Sequence, residues 1–274
     1  MLPDSYKSWQ SRPIHFSSVR VQSDRSVIAA SPGKGIYHKS EHGDWNGLSK
    51  GLPESANINR LQLVNGVMYA CTNKGLYRLD DQREWHFAEV GQSCYQYKEE
   101  WGYGFAATAS GLLYKDSNKW KESAYENSIV YDFLFTPQYL YIGLDQGISM
   151  YDRMTDRWAS FQLGFGVTSL AATRDHLFGA SEQGELVVSN GEGGFSTIRF
   201  GDIFVFSVVS KHAQVYVCTD KGLYRVGRLG ERLTLFSVKP GVPVTDMDWL
   251  GSELYIATLS KGIQTMHTEP WCQH

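Results

Sequence analysis

The sequence predicts an all-β chain: a single seven-bladed β-propeller with four-stranded antiparallel blades, its ring closed by an N-terminal strand. Three observations predict it. A glycine-centred hairpin motif recurs seven times, a bulky residue follows each glycine at a near-fixed distance, and a short apolar-rich run precedes each one. The composition agrees: 14% of the 274 residues are aromatic and 27 are glycine, which suits short strands joined by tight turns.

The hairpin comes first because it fixes the period. Residues 69–78 read YACTNKGLYR and residues 216–225 read YVCTDKGLYR, identical at eight of ten positions. Weaker copies read IAASPGKGIYH (28–38), FAATASGLLYK (105–115), YIGLDQGISMY (141–151), FGASEQGELVV (178–188) and YIATLSKGIQT (255–265). The turn glycines are Gly35, Gly75, Gly111, Gly147, Gly184, Gly222 and Gly262, spaced by 40, 36, 36, 37, 38 and 40 residues. Each is expected to supply a positive φ between the second and third strands of its blade. Repeats of this length fill residues 1–274 as one domain.

Nine to eleven residues after each glycine stand Trp45, Trp85, Trp120, Trp158, Phe195, Leu233 and Trp271, which mark the fourth strands. Upstream of each glycine lies the first strand: FSSVRV (16–21), INRLQL (58–63), CYQYKE (94–99), VYDFLF (130–135), VTSLAA (167–172), VFSVVS (205–210) and VTDMDW (244–249). Helical repeats of similar period are the competing reading. They fail because glycine sits mid-unit, the strands are β-branched and aromatic, and no stripe of period 3.6 survives. The last repeat stops three residues after Trp271, so YKSWQS (6–11) is expected to pair into the seventh blade and lock the ring.

With those motifs in view, the repeats resemble the propeller repeats of the two-component-regulator type, in which a small-residue-Thr turn runs into Gly-Leu-Tyr and then an aromatic. YIGLDQGISMYDRMTDRW (141–158) is the copy most similar to that pattern. DWNGLSKGLP (44–53) is similar, more distantly, to the bacterial-neuraminidase-repeat proteins, although HKSEHGDW (38–45) lacks the Asp and Gly of their aspartate box. The resemblance implies a fold. Regulator-type propellers usually sit outside a membrane as sensor modules on signalling domains, and this chain shows neither a membrane segment nor an attached domain, so that role is not carried over.

Composition narrows the setting. Net charge is −3 with both signs interspersed, so no basic stripe supports nucleic-acid binding. The N-terminus lacks the pattern of a signal peptide and no apolar run is long enough for a membrane helix. Cys71, Cys94, Cys218 and Cys272 show no C-x-x-C spacing. A soluble cytoplasmic monomer is expected, without nucleic-acid or membrane partners. Cys71 and Cys218 occupy one small site in two distant repeats, and packing is their expected role.

HKSEH (38–42) matches the H-x-x-E-H pattern of one class of zinc peptidases. That chemistry needs both histidines on one helix face, whereas this pentapeptide follows a strand and runs into Gly43, as a hairpin would. No metal site and no cofactor are expected. GFGVTS (164–169) and GEGG (191–194) fall in loops of the register and read as turns.

The informative column is the third of the first strand: Ser18, Arg60, Gln96, Asp132, Ser169, Ser207 and Asp246. All seven are polar, and the first strand of a blade lines the central channel. A polar ring is expected there whether or not anything binds. As a site, Arg60, Asp132 and Asp246 would grip a small polar ligand, or a cation between the carboxylates. The loops at the same end of the channel carry Asn57, Phe161, Phe165, Phe200 and Asp202, with Asn73, Asp220 and Lys221 from the hairpins. The expected function is a non-catalytic binding module recognising a protein or a small ligand at this channel-mouth face. The alternative is an enzyme of the lyase or hydrolase type, using the charges at the channel mouth.

Overall fold

The protein was analysed as a computed structural model that describes residues 15–117, 119–211 and 213–268. Every strand pairs with its sequence neighbour in antiparallel order, giving seven meander sheets. Blade 1 holds Ser18–Val21, Val27–Ser31, Gly35–Lys39 and Asn46–Gly47. Blades 2 to 6 repeat that order with inner strands Ile58–Val64, Cys94–Glu100, Val130–Phe135, Val167–Ala172 and Val205–Lys211. Blade 7 shows three strands among the described residues, Val244–Leu250, Glu253–Thr258 and Ile263–His267. The chain is a seven-bladed propeller, and no helix among the described residues is long and apolar enough to cross a membrane.

The hairpin motif folds as its residue types require. Thr72 Oγ1 donates to the Gly75 carbonyl at 2.9 Å and accepts the Lys74 N–H at 2.9 Å. Thr219 repeats the arrangement around Gly222, and Thr258 around Gly262. A threonine three or four residues before the glycine thus closes the turn with its own side chain. Gly75 has φ of 119°, and a Cβ there would come within 2.1 Å of the Val90 carbonyl oxygen. The glycine is therefore needed twice, for its backbone angle and for contact with the chain leaving the fourth strand.

The fourth strands of blades 2 and 3 anchor backwards. Trp85 of blade 2 is 2% exposed and its indole N–H donates to the Leu48 carbonyl of blade 1 at 2.6 Å. Trp120 of blade 3 donates likewise to the Ala88 carbonyl of blade 2 at 2.9 Å. The core is a ring of clusters between adjacent blades, such as Ile28, Ile36, Leu61, Met68 and Trp85 between blades 1 and 2. One twisted sheet cannot bury both faces alone, and radial stacking does so.

The ring is joined between blades 7 and 1 by the inner strands. The Phe16 N–H donates to the Thr258 carbonyl at 2.9 Å, and Thr245 Oγ1 donates to the Phe16 carbonyl at 2.8 Å. The segment expected to lock blade 7 (residues 6–11) and Trp271 lie outside the described residues. HKSEH forms the end of the third strand of blade 1 and the turn after it, where His42 is exposed.

Candidate functional site

The inner strands of blades 2 to 7 share a local irregularity. Register shifts between the first and third columns, so that one residue is inserted opposite the second strand, as between Ile58 and Arg60 or Val130 and Asp132. Such a bulge re-aims the side chains that follow it. Here the third and fifth columns line a central cavity of about 390 Å³.

The third column has a common task. An innermost strand is an edge strand, so its N–H groups lack strand partners. Ser18 Oγ accepts the Leu61 N–H of blade 2 at 3.1 Å, and Ser169 Oγ accepts the Val208 N–H of blade 6 at 2.8 Å. Asp132 Oδ2 accepts the Leu170 N–H of blade 5 at 2.9 Å, and Asp246 Oδ2 accepts the Val19 N–H of blade 1 at 3.1 Å. In each case a third-column oxygen caps the fourth-column N–H of the next blade. Ser207 instead donates to the Thr245 carbonyl of blade 7 at 3.0 Å. Gln96 accepts the Tyr97 N–H at 3.0 Å and donates to Asp132 Oδ1 at 3.0 Å. The polar ring is a set of struts between blades.

The two carboxylates fall in separate networks. Asp132 is 2% exposed. Besides Leu170 and Gln96 it accepts the Phe133 N–H at 2.8 Å, and it stands 3.4 Å from Arg60 Nη1 and 3.7 Å from Lys98 Nζ. Burial opposes its charge, but the Lys98 ammonium and the Arg60 guanidinium outweigh it and hold the carboxyl below its ordinary pKa. Asp246 accepts Ser18 Oγ at 2.6 Å, Arg20 Nη1 at 2.8 Å and the Met247 N–H at 2.9 Å. Burial would lower the Arg20 pKa, and the Asp246 and Asp248 carboxylates reverse that. Asp248 accepts the Val21 N–H at 2.9 Å, and burial raises its pKa above the ordinary value.

The sequence reading missed Arg20, Gln62 and Lys98, all in the fifth column. The strand period of two places the fifth column on the same face as the third, so the signal lay two residues onward in each run. The fifth column is polar in blades 1 to 3 and changes to Leu134 and Val209 in blades 4 and 6. The cavity therefore has one charged wall and one uncharged wall. On the charged wall Arg60 and Lys98 share a single carboxylate, and their side chains are 21% and 30% exposed. Lys98 Nζ also donates to the Phe133 carbonyl and lies 5.1 Å from the Phe133 ring; burial lowers its pKa.

The channel-mouth loops are held by their own polar residues. The Asn57 N–H donates to Asn73 Oδ1 at 2.8 Å, and the Phe204 N–H to Asp220 Oδ1 at 2.7 Å. Lys221 pairs with Asp202 and Asp220, each at 3.3 Å. Phe161, expected on a channel-mouth loop, lies instead within the outer strand Arg157–Gln162, against Phe195 of blade 5 at 4.9 Å between ring centres. Cys71 and Cys218 are both fully buried, and burial pushes the Cys218 thiol up to about 12. Among the described residues no group of three His, Cys, Asp or Glu side chains converges.

No protein-family model matches the chain, and no curated protein matches it in sequence. Solved structures do match. The chain is similar to an extracellular domain assigned to a one-component system of B. thetaiotaomicron, at 14% identity and a TM-score of 0.73 over 93% of this chain and 38% of that one. It is similar also to virginiamycin B lyase from Staphylococcus aureus, at 10% identity and a TM-score of 0.73 over 94% and 97% of the two chains. BamB from Moraxella catarrhalis matches at 12% identity and a TM-score of 0.61, over 92% and 85%. The chain spans about 38% of the length of the B. thetaiotaomicron domain. These likenesses carry the propeller fold expected from the repeats, and at such identities the fold alone. The B. thetaiotaomicron match is an extracellular domain, so the likeness lends the cytoplasmic expectation no support.

Proposed function

We propose that the chain is a rigid, non-catalytic binding module whose central channel takes a small anionic ligand on the wall formed by blades 1 to 3. The observation that carries this reading is the imbalance at Asp132. Two cations, Arg60 and Lys98, face one carboxylate whose oxygens are already engaged by the Leu170 and Phe133 N–H groups and by Gln96. The Arg60 guanidinium keeps donors to spare, and its planar fork suits a carboxylate or phosphate.

The same geometry favours binding over bond-breaking chemistry. A general base or nucleophile needs a free lone pair within reach of substrate, and the Asp132 and Asp246 lone pairs are directed at backbone N–H groups and cations. Succinate and inorganic phosphate are the probes of choice, titrated calorimetrically into the full chain. Binding of at least one of them, lost in Arg60→Met, is the expected result. An Arg60→Met variant that binds as the wild type does, or a wild-type chain that binds neither anion at millimolar concentration, would overturn the reading.

A further inference from the structure

A cavity larger than the channel lies in the cleft between blades 4 and 5, with a volume of about 560 Å³. It is bounded by the loops 136–138 and 173–176 and the turn 190–194, which belong to the end of the propeller opposite the hairpin glycines. Pseudo-symmetry explains why it is there. In each blade a large residue of the second strand faces the sixth column of the next blade's inner strand. Phe105 meets Phe135 at 4.9 Å between ring centres, and Tyr216 meets Trp249 at 6.3 Å. Ile28 packs in one cluster with Leu63, and Tyr255 with Val21. Tyr69 reaches Glu99 through its hydroxyl at 3.4 Å.

At the blade 4–5 interface the residue opposite Tyr141 is Ala172. Blade 6 also carries a small residue, Ser210, yet its partner Phe178 is 3% exposed beneath Val226, Leu233 and Leu235, so that interface is filled. The cleft at Ala172 stays open. Its wall is aromatic, from Tyr139, Tyr141, Phe161 and Phe195, and its rim carries the exposed Arg174 and Asp175. Phe161 and Phe195 brace one another edge to face at 79°. The Tyr141 hydroxyl forms no hydrogen bond within the described residues, and burial raises its pKa, so it stays a neutral donor.

We propose that this cleft is a binding site for a small molecule bearing a planar aromatic ring, which fills the place that Phe135 and Trp249 fill in blades 4 and 7. The volume falls within the roughly 300–1,000 Å³ of small-molecule sites. A ring there stacks against Tyr141 and covers aromatic surface that the other interfaces cover with a side chain. The Tyr141 hydroxyl, which can also accept, meets a polar group on the ligand such as a ring N–H. The site is independent of the channel and of its cations.

Indole is the probe, titrated into the full chain and followed by calorimetry and by chemical-shift changes. The expected result is saturable binding that falls at least tenfold in Ala172→Phe, together with a raised melting temperature in that variant. Arg60→Met should bind indole as the wild type does, which separates this site from the channel. Should Ala172→Phe fail to fold, Ala172→Leu, matching Leu63 of blade 2, carries the same test. No saturable binding at millimolar indole, or unchanged binding in the filled variant, would overturn the proposal.

Discussion

The two interfaces that blade 4 makes use the same columns to opposite ends. Towards blade 3, Phe135 gathers Phe105, Phe133 and Trp101, with ring centres 4.9, 5.5 and 4.9 Å away. Arg153 lies 4.0 Å over the Trp101 ring and covers the outside. Towards blade 5, Tyr141 faces Ala172 and a cavity. Backbone register is alike in both blades, each with the same bulge in its inner strand. What differs is the volume of one side chain. Where that column is small the interface stays a cleft unless other side chains fill it, as Val226, Leu233 and Leu235 do in blade 6.

Asp132 belongs to both interfaces, because it binds Gln96 and Lys98 of blade 3 and the Leu170 N–H of blade 5. Removing it should give the largest effect. Asp132→Ala leaves Arg60 and Lys98 without their buried partner and should cost about 3–5 kcal/mol, read by denaturant unfolding. The pH dependence follows from its lowered pKa. The stability it supplies is present above the ordinary carboxylate value and is lost as pH falls through the lower folded value. In Asp132→Asn the acid limb of the stability curve should flatten; an acid limb identical to wild type would contradict the network.

Phe135→Ala should cost about 3 kcal/mol and turn the blade 3–4 interface into a second cleft. An added indole site in that variant would extend the comparison, and a loss below half a kcal/mol would break it. Ala172→Phe works in reverse and should stabilise by about 1 kcal/mol if the ring enters the cleft without displacing Tyr141. The smallest effect is expected at Asp248, whose folded pKa is raised by burial. Its ionisation disfavours the folded state, so the wild type loses stability as pH rises from the ordinary carboxylate value through the raised one. Asp248→Asn should therefore gain over wild type at neutral pH and show no gain at low pH, as measured by melting temperature across the range.

Much of the fold was legible because its determinants are local. Thr72, Gly75 and Leu76 close a hairpin within five residues, and the turn chemistry repeats at Thr219 and Gly222. The glycine spacing fixed the number of blades, and the polar third column marked the channel wall. Its fifth-column neighbours, Arg20, Gln62 and Lys98, escaped notice although strand alternation placed them on the same face. Phe161 was misplaced because the chain between a fourth strand and the next first strand carries no sharp boundary signal.

By itself the sequence determined seven β-hairpin repeats, their glycine turns and a ring of polar residues towards the axis. Only the tertiary structure decided what those residues do. Asp132 and Leu170 are 38 positions apart, and nothing near either says that a carboxylate in one blade caps an edge N–H in another. The cleft at Ala172 has the same origin: a void depends on the sum of two side-chain volumes contributed by different blades. Turn formation and strand alternation are settled within a few residues, whereas hydrogen-bond satisfaction and packing volume are settled only when neighbouring blades meet.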